Sequence, residues 1–306
     1  MKLSPKAVRT LTLWTVIGMG LVLLMGSVVT KTESGMGCGS DFPLCHGKLI
    51  PAKTIESMIE YSHRFVSGLV GLLVLYTTAV VWKSVRERAD ARWFAAIALL
   101  FTIVQAIMGA LVVKMSQASG VLALHFGFSL IAFAASLLLA IVARQRTAEP
   151  QSGATRAVPV SPGFKWLVAV SIVYCYVVVY LGAFVRHTES AGGCTGWPLC
   201  NGEVIPELSG PAGIAFLHRI AGLLLMIVVA VLGHIAYRHQ SDPTLRRAGV
   251  WATVLVVAQV LSGGLVVFTL GSEQFYLFTS LLHTMLISGL FGVLTYMGVL
   301  TLRRAP

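Results

Sequence analysis

Glu60-Tyr61-Ser62-His63-Arg64 opens an apolar run that continues to about Trp82. In a helix, a spacing of three puts Glu60 and His63 on one face. Ionisable groups in a stretch suited to lipid are expensive, and they turn towards a bundle interior or a cavity. They are therefore functional candidates by default. The second half of the chain repeats the pattern as Ala215-Phe216-Leu217-His218-Arg219, keeping the histidine and the arginine and dropping the acid.

The run around Glu60 is one of eight. Apolar stretches of roughly 20 residues or more fall at about Leu11–Thr30, Met58–Trp82, Arg92–Lys114, Val121–Ala143, Trp166–Arg186, Ala212–Tyr237, Gly249–Leu270 and Phe275–Leu302. Of 306 residues, 56% are hydrophobic and 11% charged, with mean hydropathy +0.82. A soluble domain carries about 25% charged residues, so the chain reads as integral to a membrane. The net charge of +11 does not signal nucleic acid, because the basic residues cluster in short loops between apolar runs. The first run lacks a small-residue cleavage site and reads as a span, not a removed leader.

Lys2, Lys6 and Arg9 precede the first run, and Lys83, Arg86, Arg88 and Arg92 lie between the second and third. Arg144, Arg146, Arg156 and Lys165 follow the fourth, Arg238, Arg246 and Arg247 the sixth, and Arg303 and Arg304 the last. The positive-inside rule then makes both termini cytoplasmic and the two long loops, about 31–57 and 187–211, external.

The halves repeat each other. Thr32-Glu33-Ser34 returns as Thr188-Glu189-Ser190, Pro43-Leu44-Cys45 as Pro198-Leu199-Cys200, and Ile50-Pro51 as Ile205-Pro206. Gln105 and Gly109 match Gln259 and Gly263, and Leu124-His125 matches Leu282-His283. Offsets run from 154 (259 − 105) to 158 (283 − 125). With an even number of spans per half, the repeats share one orientation. The expected fold is all-α: eight transmembrane helices as two parallel-repeat four-helix bundles. Residues 1–145 form the first half and 164–306 the second. A cytoplasmic linker, 146–163, rich in Ala, Pro, Ser, Thr and Arg, joins them.

Four cysteines lie in the external loops: Cys38 and Cys45 in the first, Cys194 and Cys200 in the second. On the oxidising side an intra-loop bridge is geometrically plausible for each pair. Zinc is the weaker alternative, since two cysteines do not complete a tetrahedral site, and a redox role for the first pair stays open. Cys175, mid-span, reads as a small buried hydrophobe.

His63, His125, His218 and His283 each sit one to two turns inside the external end of a span. Two imidazoles at equal depth on two helices of one half suit axial ligation of a porphyrin iron. A proton relay, a non-haem metal and plain hydrogen-bonded packing are the alternatives. His46, His187, His234 and His239 lie near loops or span ends and read as solvated. Arg64 and Arg219 either reach haem propionates or snorkel to the interface. Gln105 and Gln259 are expected to bond between helices.

Taken together, Gly26-Ser27-Val28-Val29-Thr30-Lys31-Thr32, Gly35-Met36-Gly37-Cys38, Phe42-Pro43-Leu44-Cys45-His46-Gly47, Glu60-Tyr61-Ser62-His63-Arg64, Gly193-Cys194, Trp197-Pro198-Leu199-Cys200-Asn201-Gly202 and Leu217-His218-Arg219 resemble the haem A synthase family over almost the full length. The loop cysteines look like those of the bacterial members with pairs in both halves. The resemblance implies an eight-helix plasma-membrane oxidoreductase that turns a methyl group of haem O into the formyl group of haem A. It implies a haem b cofactor in the second half, ligated by His218 and His283. It places the substrate haem in the first half with His63 and His125 as counterpart ligands, and it makes Glu60 the essential acid. Disulfides Cys38–Cys45 and Cys194–Cys200 would brace the loops. A haem O synthase and the terminal oxidase are the implied partners. The rival reading is a dihaem b-type membrane electron carrier linked to quinol.

Overall fold

The structure, a computed structural model, describes residues 3–50, 53–145 and 160–303. Among them the chain forms eight α-helices: α1 (Pro5–Lys31), α2 (Ile55–Ser84), α3 (Ala89–Lys114), α4 (Ser119–Gln145), α5 (Pro162–His187), α6 (Gly210–His239), α7 (Pro243–Phe268) and α8 (Glu273–Leu302). Each has 26 to 30 residues and is apolar enough to cross a membrane; about 20 residues suffice for the hydrocarbon core. The protein is an all-α integral membrane protein.

The helices outrun the apolar stretches by up to two turns, because their ends are set by capping groups and not by hydropathy. Ser4 Oγ accepts the Ala7 N–H and Ser161 Oγ the Phe164 N–H, both at 3.3 Å. The Asp242 carboxylate accepts the Thr244 N–H at 2.8 Å. In all three cases a proline follows the cap, where its missing N–H is harmless and its fixed φ suits a first turn.

The chain divides into two compact units, Met1–Gln151 and Ser152–Pro306. Residues 146–159 of the expected linker lie outside the described residues, and its last two, Pro162 and Gly163, already belong to α5. In the first unit α1 packs on α2 and α4, and α3 packs on the same two helices. Helices α2 and α4 therefore stand on one diagonal of a four-helix bundle. The second unit has the same plan: α5 and α7 each pack on α6 and α8, which take the diagonal.

In the first unit Val8, Val80, Val81, Val85, Ala95, Leu139 and Val142 close one end of the bundle. Met19, Val70, Val74, Ala98, Ala132 and Ala135 fill its middle. In the second unit Leu225, Val229, Leu232, Leu290, Leu294 and Met297 are almost fully buried. Large apolar side chains on the other faces stay exposed, among them Leu69, Leu72 and Tyr76 on α2 and Trp93 on α3. Apolar surface of this extent is what a lipid-facing exterior requires. The remaining end of each bundle, where α2 and α6 begin, carries the disulfide loops and the histidines.

Candidate functional site

Each long loop leaves its helix through a left-handed residue, Glu33 (φ 56°) or Glu189 (φ 55°), into a short 3₁₀ turn. A disulfide follows in each: Cys38–Cys45 with Cα atoms 4.4 Å apart, and Cys194–Cys200 with 4.7 Å. The sulfurs are bonded in pairs, so none is left to hold zinc. Glycine seats each loop on the next helix. A Cβ on Gly37 would strike the Glu56–Ser57 backbone, and one on Gly193 the Pro211–Ala212 backbone. Each loop is also fastened to itself. Exposed His46 places Nε2 3.1 Å from the Gly37 carbonyl oxygen, and Asn201 Nδ2 donates to the Gly193 carbonyl at 3.0 Å. His46 thus does the work of its repeat partner Asn201. A search for like residue types at like positions misses that equivalence.

Glu60 is 3% exposed. Its Oε2 accepts the Cys38 N–H at 2.8 Å and its Oε1 pairs with Arg64 Nη2. Arg64 Nη1 also donates to the carbonyls of Asp41 (2.6 Å) and Leu44 (2.7 Å). One acid and one base thereby tie the disulfide loop to α2. In the second unit Ala215 packs with Phe216 against Cys194 and Cys200. There Arg219 reaches the loop directly, donating from Nη2 to Cys194 O (2.6 Å) and from Nη1 to Leu199 O (3.0 Å). Both arginines hold loop carbonyls, a third role beside the two expected of them. Arginine has five N–H donors, and these contacts use three on Arg64 and two on Arg219.

All four histidines lie within roughly three turns of the N-terminus of their helix, on the diagonal helices α2, α4, α6 and α8. All four are half-buried. Every ring edge rests on a glycine of a neighbouring helix. A Cβ on Gly26 of α1 would lie 3.2 Å from His63 Cε1, and one on Gly109 of α3 3.7 Å from His125 Cε1. For Gly182 of α5 and His218 the distance is 2.8 Å, and for Gly263 of α7 and His283 it is 3.3 Å. The imidazoles thus face helices of their own bundle and not the surrounding lipid. The role of Gly182 was invisible in the sequence, although it stands 156 residues (182 − 26) beyond Gly26, the same offset as Cys38 to Cys194 (194 − 38).

Polar partners meet the backbone of the second histidine in one unit and its ring in the other. Gln105 Nε2 donates to the His125 carbonyl at 2.9 Å, and Ser129 Oγ bonds both Gln105 Oε1 (2.8 Å) and that carbonyl (2.9 Å). Gln259 instead meets the His283 ring, Nε2 to Nε2 at 2.9 Å, and Ser262 Oγ lies 2.8 Å from His283 Nδ1. Both glutamines bridge helices as expected, and their targets differ. Ser262 could not be singled out from the sequence.

His63 Nδ1 and His218 Nδ1 are buried with no hydrogen-bond partner. An orphaned buried imidazole nitrogen is costly, so neither ring is held by a hydrogen bond at Nδ1. Among the described residues no three His, Cys, Asp or Glu side chains converge to hold a metal ion. A porphyrin iron asks its protein for only two axial ligands. Paired histidines backed by glycine fit that demand.

Cys175 is fully buried and free. A cavity of about 300 Å³ lined by Tyr237, Arg246, Arg247 and Trp251 lies at the α6–α7 turn, the far end of α6 from His218.

The fold and these residues define a class: a polytopic membrane protein of two four-helix units, each with a histidine pair beside a disulfide loop. The model of the COX15-CtaA family, described as cytochrome oxidase assembly protein, matches residues 52–295. The chain belongs to that family. It is similar to "Heme A synthase" of Alkalihalophilus pseudofirmus, 41% identical over 97% of this chain and 98% of the relative. "Heme A synthase" of Symbiobacterium thermophilum is 42% identical over 97% and 96%. That of Halalkalibacterium halodurans is 41% identical over 92% and 93%.

Proposed function

We propose that this chain is a haem A synthase, a membrane oxidoreductase that oxidises a methyl group of haem O to a formyl group. The observation that carries this reading is its likeness, over 97% of its length, to relatives bearing that name. The rival, a dihaem electron carrier, is not favoured by those names. In the simplest route two successive hydroxylations, each a two-electron oxidation that draws its oxygen atom and oxidising equivalents from an external oxidant, give a geminal diol, which loses water to leave the aldehyde. The product serves a terminal oxidase.

The halves divide the work. In the first, His63 and His125 hold the substrate haem from diagonal helices, and Glu60 lies one turn from His63. Taking hydrogen from a methyl group calls for a group that relays a proton or steadies developing positive charge, and a carboxylate does either. Glu60 is already fixed by the Cys38 N–H and Arg64, so it needs no reorganisation to act. The second half has Ala215 there, and His218 and His283 would hold a resident haem b. When bound, haem b supplies a one-electron redox centre. Ser262 beside Nδ1 and Gln259 beside Nε2 orient the His283 ring. The membrane is the plasma membrane, with both termini cytoplasmic and the disulfide loops on the outer, oxidising side.

The test is co-expression with a source of haem O, followed by mass analysis of extracted haems. Haem A is the expected product. Recovery of haem b alone would overturn the assignment in favour of the carrier.

A further inference from the structure

The two units differ in what lies over the histidine end of the bundle. In the second, Trp197 of the disulfide loop is seated on α7. A Cβ built on Gly264 would come 3.0 Å from Trp197 Cδ2, 3.2 Å from Cε2 and 3.3 Å from Cγ. These are adjoining atoms of the indole, so the ring body rests on the glycine. Gly264 is buried and Trp197 half-buried. The neighbouring residue, Gly263, backs His283. Consecutive residues of α7 thus carry the loop tryptophan and the imidazole.

The first unit has the same parts with two changes. The repeat that matches Gly109 to Gly263 brings Ala110 to the position of Gly264, and the Pro-Leu-Cys match brings Phe42 to that of Trp197. Phe42 is 40% exposed, with the Arg64 guanidinium 5.4 Å from its ring centroid. A methyl on Gly264 would crowd an indole seated as Trp197 is, and Ala110 carries that methyl.

We propose that the Trp197–Gly264 contact is the retention lock of the second haem site, and that Phe42 with Ala110 leaves the first site open to exchange. This rests on the haem A synthase reading, in which one macrocycle stays while another enters and leaves. Two sites built from one repeat have similar ligands, so the difference must lie in dissociation rate, the quantity that most often separates related complexes. An indole brings more apolar area than a phenyl ring. Seated on the helix beside His283, it keeps water from the ligand bond and blocks the way out.

The experiment follows transfer of haem b from the purified holoprotein to excess apomyoglobin by the Soret change, with thermal melting in parallel. Gly264→Ala and Trp197→Phe should each speed transfer by about tenfold to a hundredfold, with melting little changed in Trp197→Phe. The double variant Phe42→Trp, Ala110→Gly should slow release of haem O from the first site. Should Gly264→Ala fail to fold, Trp197→Phe decides alone, since it leaves α7 untouched. Transfer from Trp197→Phe at the wild-type rate overturns the lock. Wild-type protein that carries no resident haem b overturns the functional reading instead, so the two failures are distinct.

Discussion

The junction of loop and helix is built twice in this protein, and where the loop meets its helix the two versions differ in an acid. At Glu60 a buried carboxylate links the Cys38 amide to Arg64, whereas at Ala215 a methyl packs on the Cys194–Cys200 bridge and Arg219 bonds the loop by itself. The second version shows that the loop can be fastened without an acid. An acid at Glu60 is therefore not required for the fastening alone, which is why we propose a chemical role for it.

Substitutions that push on this contrast should rank as follows. His218→Ala should abolish the resident haem b signal; an unchanged pyridine haemochrome spectrum in the purified variant would reject the ligand. Next in size, Glu60→Gln should lower haem A formation by about a hundredfold or more while the bound haems remain. Gln still offers an oxygen to the Cys38 N–H, so a full-rate variant would show the acid to be scaffold only. Arg64→Ala strands the Glu60 charge and should destabilise the first unit by about 3–5 kcal/mol. Arg219→Ala, which leaves no buried acid behind, should have the smaller effect in a thermal melt; equal losses would erase the distinction.

The glycine contacts give the finest scale. Gly182→Ala, whose Cβ would lie 2.8 Å from His218 Cε1, should displace that imidazole and shift the low-spin haem spectrum. Gly109→Ala, with 3.7 Å to spare at His125, should shift nothing. Identical spectra for the pair would mean that the glycines do not position the rings.

Much of this was legible in the chain itself. Eight runs of apolar residues fix eight spans, because a backbone crossing lipid must satisfy its own hydrogen bonds and a helix is the local way to do so. The repeat of histidine, arginine and cysteine at a steady offset marks the four imidazoles and both loops without any coordinates. The missing acid at Ala215 is equally plain. Helix ends were less so, since Ser4, Ser161 and Asp242 cap helices a turn or more outside the apolar runs.

What only the tertiary structure decided is which side chains meet. Hydropathy and repeats are properties of single positions, whereas contact depends on how helices distant in sequence are brought side by side. Thus Gly182 as the seat of His218, Ser262 beside His283 Nδ1, His46 standing in for Asn201, and Trp197 resting on Gly264 have no local signal. The glycine and serine contacts exist because the packed bundle brings a small residue or a hydroxyl to the place where a ring must rest, whereas the His46 contact exists because the loop folds back on itself.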